Sequence, residues 1–168
     1  LSEYRRFIRL VGRFTDRQPL WMVRAHGVSG SGKSFFAERL VERCDAIRIR
    51  SDVERKRSRR LGREATSGSP VGGGLYTEAA TRRNYARLSM LSATILDAGW
   101  PVIADATFAH RWQRDLLRQD ALRRGVPWLI LDFQVPEATL RIRVVQRAGA
   151  ENGRGDPSEA TLAVLEHQ

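Results

Sequence analysis

Residues 27–34 read Gly-Val-Ser-Gly-Ser-Gly-Lys-Ser, which fits the pattern G-x-x-x-x-G-K-[ST] at every required position. Loops of this kind, known as Walker A loops, use glycines to bring backbone N–H groups close to a polyphosphate. The lysine reaches the β- and γ-phosphates, and the hydroxyl after it binds the Mg²⁺ that bridges them. We therefore expect Lys33 to contact phosphate and Ser34 to bind Mg²⁺.

The flanking sequence favours this interpretation over a Gly/Ser-rich turn that matches by chance. Residues 20–26 read as a buried strand and residues 35–41 as a helix, so strand, loop and helix follow in the required order. The positive end of the helix would face the phosphates. The predicted nucleotide-binding residues are Gly27, Val28, Ser29, Gly30, Ser31, Gly32, Lys33, Ser34 and Phe35.

Composition indicates one globular domain of ordinary size. The chain has 168 residues, of which 42% are hydrophobic, enough to form a core. Its single cysteine, Cys44, excludes an internal disulfide framework and is typical of a reducing compartment. No apolar run approaches membrane-spanning length and no signal peptide is recognisable, so we expect a cytoplasmic protein without membrane contact.

The formal net charge of +10 has two interpretations. Clustered basic residues bind nucleic acid by neutralising its phosphates. All but Lys33 and Lys56 of the 29 basic residues are arginine, however, and codon bias in a G+C-rich genome produces the same skew. The densest cluster, residues 54–60, is either a nucleic-acid contact or a solvated helix face.

Asp52 is the candidate general base. A second strand, residues 46–50, ends just before it, and ligands of open α/β sheets bind at the carboxyl ends of the strands. A carboxylate there can accept the proton of an acceptor hydroxyl during phosphoryl transfer. The alternative is that Asp52 caps a helix beginning at Val53.

Asp105 is the second candidate metal ligand. Residues 101–108 form an apolar strand that closes on this aspartate, the form of a Walker B segment that binds Mg²⁺ directly or through water. Many buried strands end in Asp, so this assignment depends on its pairing with the loop at residues 27–34.

Three further stretches are predicted to be helical. Residues 1–13 predict an amphipathic helix, residues 76–98 a long helix, and residues 110–124 another. Arg82, Arg111 and Arg114, near the starts of the last two, are either substrate contacts or plain surface residues. The glycine-rich residues 62–74 between the first two suggest a mobile substrate loop.

The C-terminal part predicts a fourth strand followed by a lid. Residues 126–133 are continuously apolar, as expected for a parallel strand covered on both sides. A helix over residues 137–148, a polar loop over 149–155 and a helix restarting near residue 156 then form a lid at about 136–160. Arg143 and Arg147 lie four apart on the first of these helices and are candidates to stabilise the transferred phosphate.

With these motifs in sequence, the chain resembles P-loop kinases of the group that includes polynucleotide 5′-hydroxyl kinases, gluconate kinases and chloramphenicol phosphotransferases. The segments 50–56, 74–76, 104–108 and 154–160 are similar to a bacterial family of predicted kinases often fused behind an aminoglycoside-phosphotransferase-like domain. The resemblance covers most of the chain from Leu20, so we divide it into an N-terminal helix and linker (1–19) and a P-loop kinase domain (20–168).

The resemblance implies a three-layer α/β/α sandwich with a parallel sheet in the order 2-3-1-4-5 and ATP as phosphate donor. The chain ends at Gln168, before the position of the fifth strand in these kinases, so that strand can be missing here. Asp52 matches the residue that activates the hydroxyl in polynucleotide kinases, and Arg143 and Arg147 match lid arginines that contact phosphate. A possible fused N-terminal domain is also implied.

The leading hypothesis is an ATP- and Mg²⁺-dependent kinase for a hydroxyl, whose acceptor is either a small molecule or a nucleic-acid 5′ end, with a slight preference for the small molecule. The alternative from another class is a regulatory ATPase module that signals to an attached domain. A GTPase and a transporter ATPase are disfavoured because the Asn-Lys-x-Asp and Leu-Ser-Gly-Gly motifs are missing.

Overall fold

The computed structural model describes residues 2–15, 19–63, 65, 67–69, 73–149 and 162–167. These ranges contain helices and strands that alternate in the manner of an α/β protein. In chain order they are α1 (Ser2–Thr15), β1 (Met22–His26), α2 (Lys33–Cys44), β2 (Ile47–Arg50), α3 (Ser51–Arg57), a 3₁₀ turn (Gly74–Tyr76), α4 (Glu78–Asp97), β3 (Val102–Asp105), α5 (Arg111–Arg123), β4 (Trp128–Asp132), α6 (Glu137–Gly149) and α7 (Leu162–His167).

The four strands form one parallel sheet in the order β2-β3-β1-β4. In the register of this sheet Asp105 of β3 lies beside Ala25 of β1 on one side and Arg50 of β2 on the other. The carboxyl ends of β1, β2 and β3 therefore meet at one edge. The predicted parallel α/β fold is confirmed, and the order matches the first four strands of 2-3-1-4-5. No fifth strand occurs in the ranges given above.

Both faces of the sheet are covered by helices, as its crossover connections require. On one face α4 and α5 pack over a core that includes Leu88, Val102 and Leu117, each fully buried. On the other face Ala37 of α2 packs against Ile103. The predicted three-layer sandwich is thus present, and it fixes the strand ends between two rigid helical layers.

The prediction that β4 is covered on both sides is wrong. This strand pairs with β1 alone and lies at the edge of the described sheet, where Leu129 is 55% exposed. Its apolar residues line an open groove against α2, together with Leu40 and Cys44. A continuous apolar run is typical of parallel strands, but it does not distinguish a central strand from one at the edge.

The central strand carries a buried cation that the apolar pattern did not indicate. Arg24 is 2% exposed, lies 4.9 Å from the centre of the Trp128 ring and donates to the carbonyl oxygen of Arg114. Burial, together with repulsion by Arg114 and Arg118, lowers the pKa of Arg24 to about 10. A charge placed here has a desolvation cost that an apolar side chain would avoid.

The two ends of the chain are described in part. The predicted N-terminal helix forms as α1, and its apolar residues Tyr4, Phe7 and Ile8 are exposed. The first lid helix forms as α6. The predicted lid loop after residue 149, the helix start near residue 156 and five residues of the glycine-rich stretch 62–74 lie outside the described residues. The division at residues 19 and 20 stays a prediction.

None of the helices in the described ranges combines the length and the apolarity that crossing a bilayer would require.

Candidate active site

The loop between β1 and α2 has the backbone conformation that its glycines were predicted to allow. Gly27, Gly30 and Gly32 have φ values of 144°, 83° and 94°, where other residues are strained. Gly32 is the N-cap of α2, so the positive end of this helix points into the loop. Loop and helix together form an anion-binding cradle.

The lid helix α6 packs directly onto this loop. A Cβ at Gly30 would meet Val144 Cγ2 at 3.3 Å and the Leu140 carbonyl oxygen at 3.4 Å, and both α6 residues are buried. Arg143, on the same helix, donates from Nη1 to the Gly30 carbonyl oxygen at 3.2 Å. Of the two predicted lid arginines, Arg143 therefore reaches the loop. Arg147 belongs to α6, and its side chain lies outside what the structure describes.

Lys33, the predicted phosphate-contacting cation, bends back over the loop. Its Nζ donates to the Val28 carbonyl oxygen at 2.7 Å and lies 3.5 Å from Ser31 Oγ. An ammonium group held there by loop oxygens is on the concave side of the turn. A bound polyphosphate can take over these hydrogen bonds, since charge-assisted bonds to phosphate are stronger than bonds to a neutral carbonyl.

The two predicted metal ligands are in direct contact. Ser34 Oγ donates to Asp105 Oδ2 at 2.9 Å, and Asp105 is 4% exposed. A hydroxyl and a carboxylate are the oxygen donors that Mg²⁺ prefers, so the pair fits this ion. Within the described ranges no group of three or more His, Cys, Asp or Glu side chains could hold a metal. This suits Mg²⁺, which takes one or two protein oxygens with substrate phosphates and waters.

Two arginines of β2 also reach these candidate metal ligands, and neither was predicted from the sequence. Arg48 Nη2 donates to Asp105 Oδ2 at 2.5 Å. Arg50 Nη2 donates to Ser34 Oγ at 3.2 Å, and its Nε lies 3.5 Å from Asp105 Oδ2. The alternation Ile-Arg-Ile-Arg in a short strand beside the loop is a signal that could have found them, because residues two apart share one face of a strand.

Asp52, the predicted general base, lies in the first turn of α3. The predicted capping role is wrong, because α3 begins at Ser51 and its N-cap is Arg50. Burial raises the pKa of the Asp52 carboxyl, and Asp105 acts in the same direction. The cations Arg50, Arg55 and Lys33 oppose the rise. Asp52 therefore belongs to the same electrostatic cluster as the loop lysine and the metal ligands.

Helix α4 holds the two strand-end loops in place. Asn84, 5% exposed, donates from Nδ2 to the carbonyl oxygen of Ser51, the residue before Asp52. The hydroxyl of the next residue, Tyr85, accepts the backbone N–H of Phe108 at 3.1 Å in the loop after Asp105. Burial raises the pKa of Tyr85 to about 12, so its hydroxyl stays neutral and bound. The spacing between the acidic residues is thus set by adjacent residues of one helix.

A protein-family model matches most of this chain. The model of the AAA domain family AAA_33 matches residues 22–168, which include every candidate site residue described above. The chain belongs to this family. No protein with curated annotation matches it.

Several solved structures similar to this AAA domain are named as kinases. A sugar kinase from Janibacter sp. HTCC2649 has a TM-score of 0.60 and 23% identity, covering 88% of this chain and 78% of that one. The APS kinase of Mycobacterium tuberculosis in complex with AMPPNP and APS has a TM-score of 0.58 and 22% identity, over 81% and 76% of the two chains. A gluconokinase from Sinorhizobium meliloti 1021 has a TM-score of 0.55 and 22% identity, over 90% of each. At these identities the similarity establishes a shared fold.

The three weaker substrate-contact candidates of this AAA domain occupy different settings. Arg114 donates to the carbonyl oxygens of Phe108 and Ala109 and so braces the loop after β3. Arg82 pairs with Glu78 on its own helix. Arg111 is 88% exposed and lies 3.4 Å from a carboxylate oxygen of Asp115. A substrate role for them stays a prediction, and only Arg114 touches a strand-end loop.

Proposed function

We propose that this AAA-domain protein is an ATP-dependent kinase that transfers the γ-phosphate of ATP to a hydroxyl group of a small molecule. The observation that carries the proposal is the carboxylate of Asp52, half-buried at the sheet edge that also holds Lys33, Ser34 and Asp105. A carboxylate in this position can accept the proton of an acceptor hydroxyl while the phosphoryl group is transferred.

Each residue of the candidate site has a separate role in the proposed reaction. The acceptor oxygen forms a bond to the γ-phosphorus while the bond from that phosphorus to the β,γ-bridging oxygen breaks and ADP leaves. Asp52 takes the proton of the hydroxyl, and Lys33 and Arg143 stabilise charge on the phosphate oxygens. Mg²⁺, for which Ser34 and Asp105 are the candidate ligands, would neutralise charge on the β- and γ-phosphates.

A small acceptor is favoured over a nucleic-acid 5′ end in part because several basic side chains of the described residues are already paired. Six arginines whose side chains are 41–88% exposed lie within ion-pair distance of a carboxylate, and such pairs are less available to phosphate groups. They are Arg57 and Arg87 with Glu54, Arg82 with Glu78, Arg111 with Asp115, Arg123 with Asp120, and Arg141 with Glu137. The names of two structural neighbours, a sugar kinase and a gluconokinase, also support a small molecule.

The test is transfer of label from γ-labelled ATP with Mg²⁺ to a panel of sugars, sugar acids and hydroxylated antibiotics, with a 5′-hydroxyl oligonucleotide in parallel. Asp52→Asn should abolish transfer. Asp132→Asn is the matched control, since Asp132 ends β4 at the same edge of the sheet but is exposed and pairs with His26. Label on the oligonucleotide would mean that the acceptor is a nucleic-acid 5′ end and not a small molecule. Label only as free phosphate, unchanged by Asp52→Asn, would contradict the kinase.

A regulatory ATPase is the second candidate, and the contact of α6 with the loop favours it. Because Val144 and Leu140 touch Gly30, a loop that moves on binding nucleotide would move α6 as well. This function requires nucleotide-dependent motion without a phosphorylated product, so the transfer assay separates the two. A cytoplasmic location and a fused N-terminal domain remain predictions of the sequence.

A further inference from the structure

Arg50 lies where three parts of the candidate site meet. It is the last residue of β2, directly beside Asp105 in the sheet register, and it precedes α3 with Asp52 in its first turn. Its guanidinium contacts Ser34 Oγ and approaches Asp105 Oδ2. Its side chain is only 12% exposed, so it is accessible mainly from within the site.

We propose that Arg50 is a catalytic residue of the proposed kinase and contacts the phosphoryl group during its transfer. The inference rests on the proposed function, since it assigns to Arg50 a role in that reaction. The class of ligand it recognises is the planar, negatively charged phosphoryl group between ADP and the acceptor oxygen.

The position of the transferred group follows from its neighbours. The phosphoryl group has to lie between the loop cation and metal ligand, Lys33 and Ser34, and the base that receives the acceptor proton, Asp52. Arg50 contacts Ser34, and its charge opposes the burial-driven rise in the pKa of Asp52 more strongly than any other cation. A guanidinium there presents a fork of N–H donors that matches phosphate oxygens.

Two of the present contacts of Arg50 are oxygens that the bound substrate complex would use. Ser34 Oγ and Asp105 Oδ2 are the candidate Mg²⁺ ligands, and an oxygen that coordinates a cation accepts a hydrogen bond from a guanidinium less well. The N–H groups that now face these two oxygens can then bond another acceptor within reach of β2. An oxygen of the γ-phosphoryl group supplies it, and developing charge on that oxygen strengthens the bond.

Arg48 provides a matched comparison two residues away on the same strand. It too is an arginine of low exposure, at 13%, and it donates to the same Asp105 oxygen. Unlike Arg50, it is not among the causes of the Asp52 pKa shift. Arg48 thus compensates the charge of Asp105, whereas Arg50 reaches across to Ser34 and towards Asp52.

The test compares the affinity of the whole chain for ADP with its affinity for ADP and aluminium fluoride, which mimics the phosphoryl group during transfer. Both affinities are measured by titration calorimetry with Mg²⁺ and the acceptor found in the transfer assay. Arg50→Gln should weaken binding of the mimic roughly 100-fold or more, the effect of removing one charge-stabilising donor, while ADP affinity changes by less than about threefold. Arg48→Gln should change both affinities by the same factor. Arg50→Lys should restore part of the lost affinity for the mimic.

Several results would decide against the proposal. Equal weakening of ADP and of the mimic by Arg50→Gln would mean that the residue only shapes the loop, and an unchanged affinity for the mimic would remove Arg50 from the reaction. Thermal unfolding of each variant shows whether it has folded. If the wild-type chain transfers phosphate to no acceptor and binds the mimic no better than ADP, the proposed kinase function is wrong. The role assigned to Arg50 is then wrong as well, because there is no phosphoryl transfer in which it could act.

Discussion

Gly30 joins the nucleotide loop to the lid helix, and replacing it with alanine tests that junction. An alanine at φ +83° is in the left-handed region, which costs about 1–2 kcal/mol. Its Cβ would also lie 3.3 Å from Val144 Cγ2 and 3.4 Å from the Leu140 carbonyl oxygen. Displacing α6 by the few tenths of an ångström that this requires adds roughly 1 kcal/mol, at the low end of overpacking costs.

We therefore expect Gly30→Ala to lower the free energy of unfolding by about 2–3 kcal/mol, and Tm by roughly 4–12 °C for a domain of this size. Gly32→Ala is the matched control, because Gly32 has φ +94° but its nearest neighbour, Arg143 Nη1, is 4.0 Å away. It should show the backbone part alone, about 1–2 kcal/mol. Urea and thermal unfolding measure both variants, and titration with ATP should show weaker binding for Gly30→Ala.

A double-mutant cycle isolates the contact with α6. In a Val144→Ala background the side chain that obstructs Cβ is shortened, so Gly30→Ala should cost about 1 kcal/mol less than it does in the wild-type chain. The remaining cost would come from the backbone and from the Leu140 carbonyl. Equal costs in the two backgrounds would refute the reasoning, since they would mean that α6 does not press on the loop.

Three further predictions concern buried polar groups. Asp52→Asn should raise Tm at pH 7, because burial raises the pKa of Asp52 and the stability of the wild-type chain therefore falls as pH rises through that pKa. Melting curves measured from pH 4 to 8 should show this fall in the wild-type chain and not in the variant. Tyr85→Phe should cost roughly 1–3 kcal/mol in urea unfolding because the buried Phe108 N–H loses its acceptor; an unchanged midpoint would mean that water replaces the hydroxyl. Arg24→Met should leave stability unchanged or raise it by about 1 kcal/mol or more, since it removes a buried cation; a lower Tm would show that stacking on Trp128 outweighs desolvation.

The parts of the site that could be predicted are those encoded locally. The loop at residues 27–34 is defined by spacing within eight residues, and its glycine conformations follow from that spacing. Asp52 and Asp105 could be found because each lies at the carboxyl end of a predicted strand, and parallel strands end at a common edge of the sheet. The alternative of a cap at Asp52 was wrong by two residues, since the N-cap is Arg50, and this is the usual uncertainty of a helix boundary.

The parts that could not be predicted depend on which strands are neighbours. Arg50 reaches Asp105 because β2 lies beside β3, and Arg143 reaches Gly30 across 113 positions of sequence. The alternation Ile-Arg-Ile-Arg shows that Arg48 and Arg50 share one face of β2, but it does not show that this face contacts Asp105 and Ser34. The contact of Arg143 with Gly30 leaves no periodic signal in the sequence. The edge position of β4 could not be predicted either, because the residues of a strand do not indicate which elements pack beside it.

Helix α4 shows why the missed residues matter to function as much as the motifs do. Asn84 and Tyr85 are consecutive residues, yet one bonds Ser51, the residue before Asp52, and the other bonds the loop that follows Asp105. In the proposed kinase, phosphoryl transfer would depend on the distance between the base and the metal ligand being held to a fraction of an ångström. The motifs supply those two carboxylates, but their separation is set by a helix that carries no recognisable motif. A motif-based assignment can therefore name the groups that react while leaving out the residues that make their geometry reproducible.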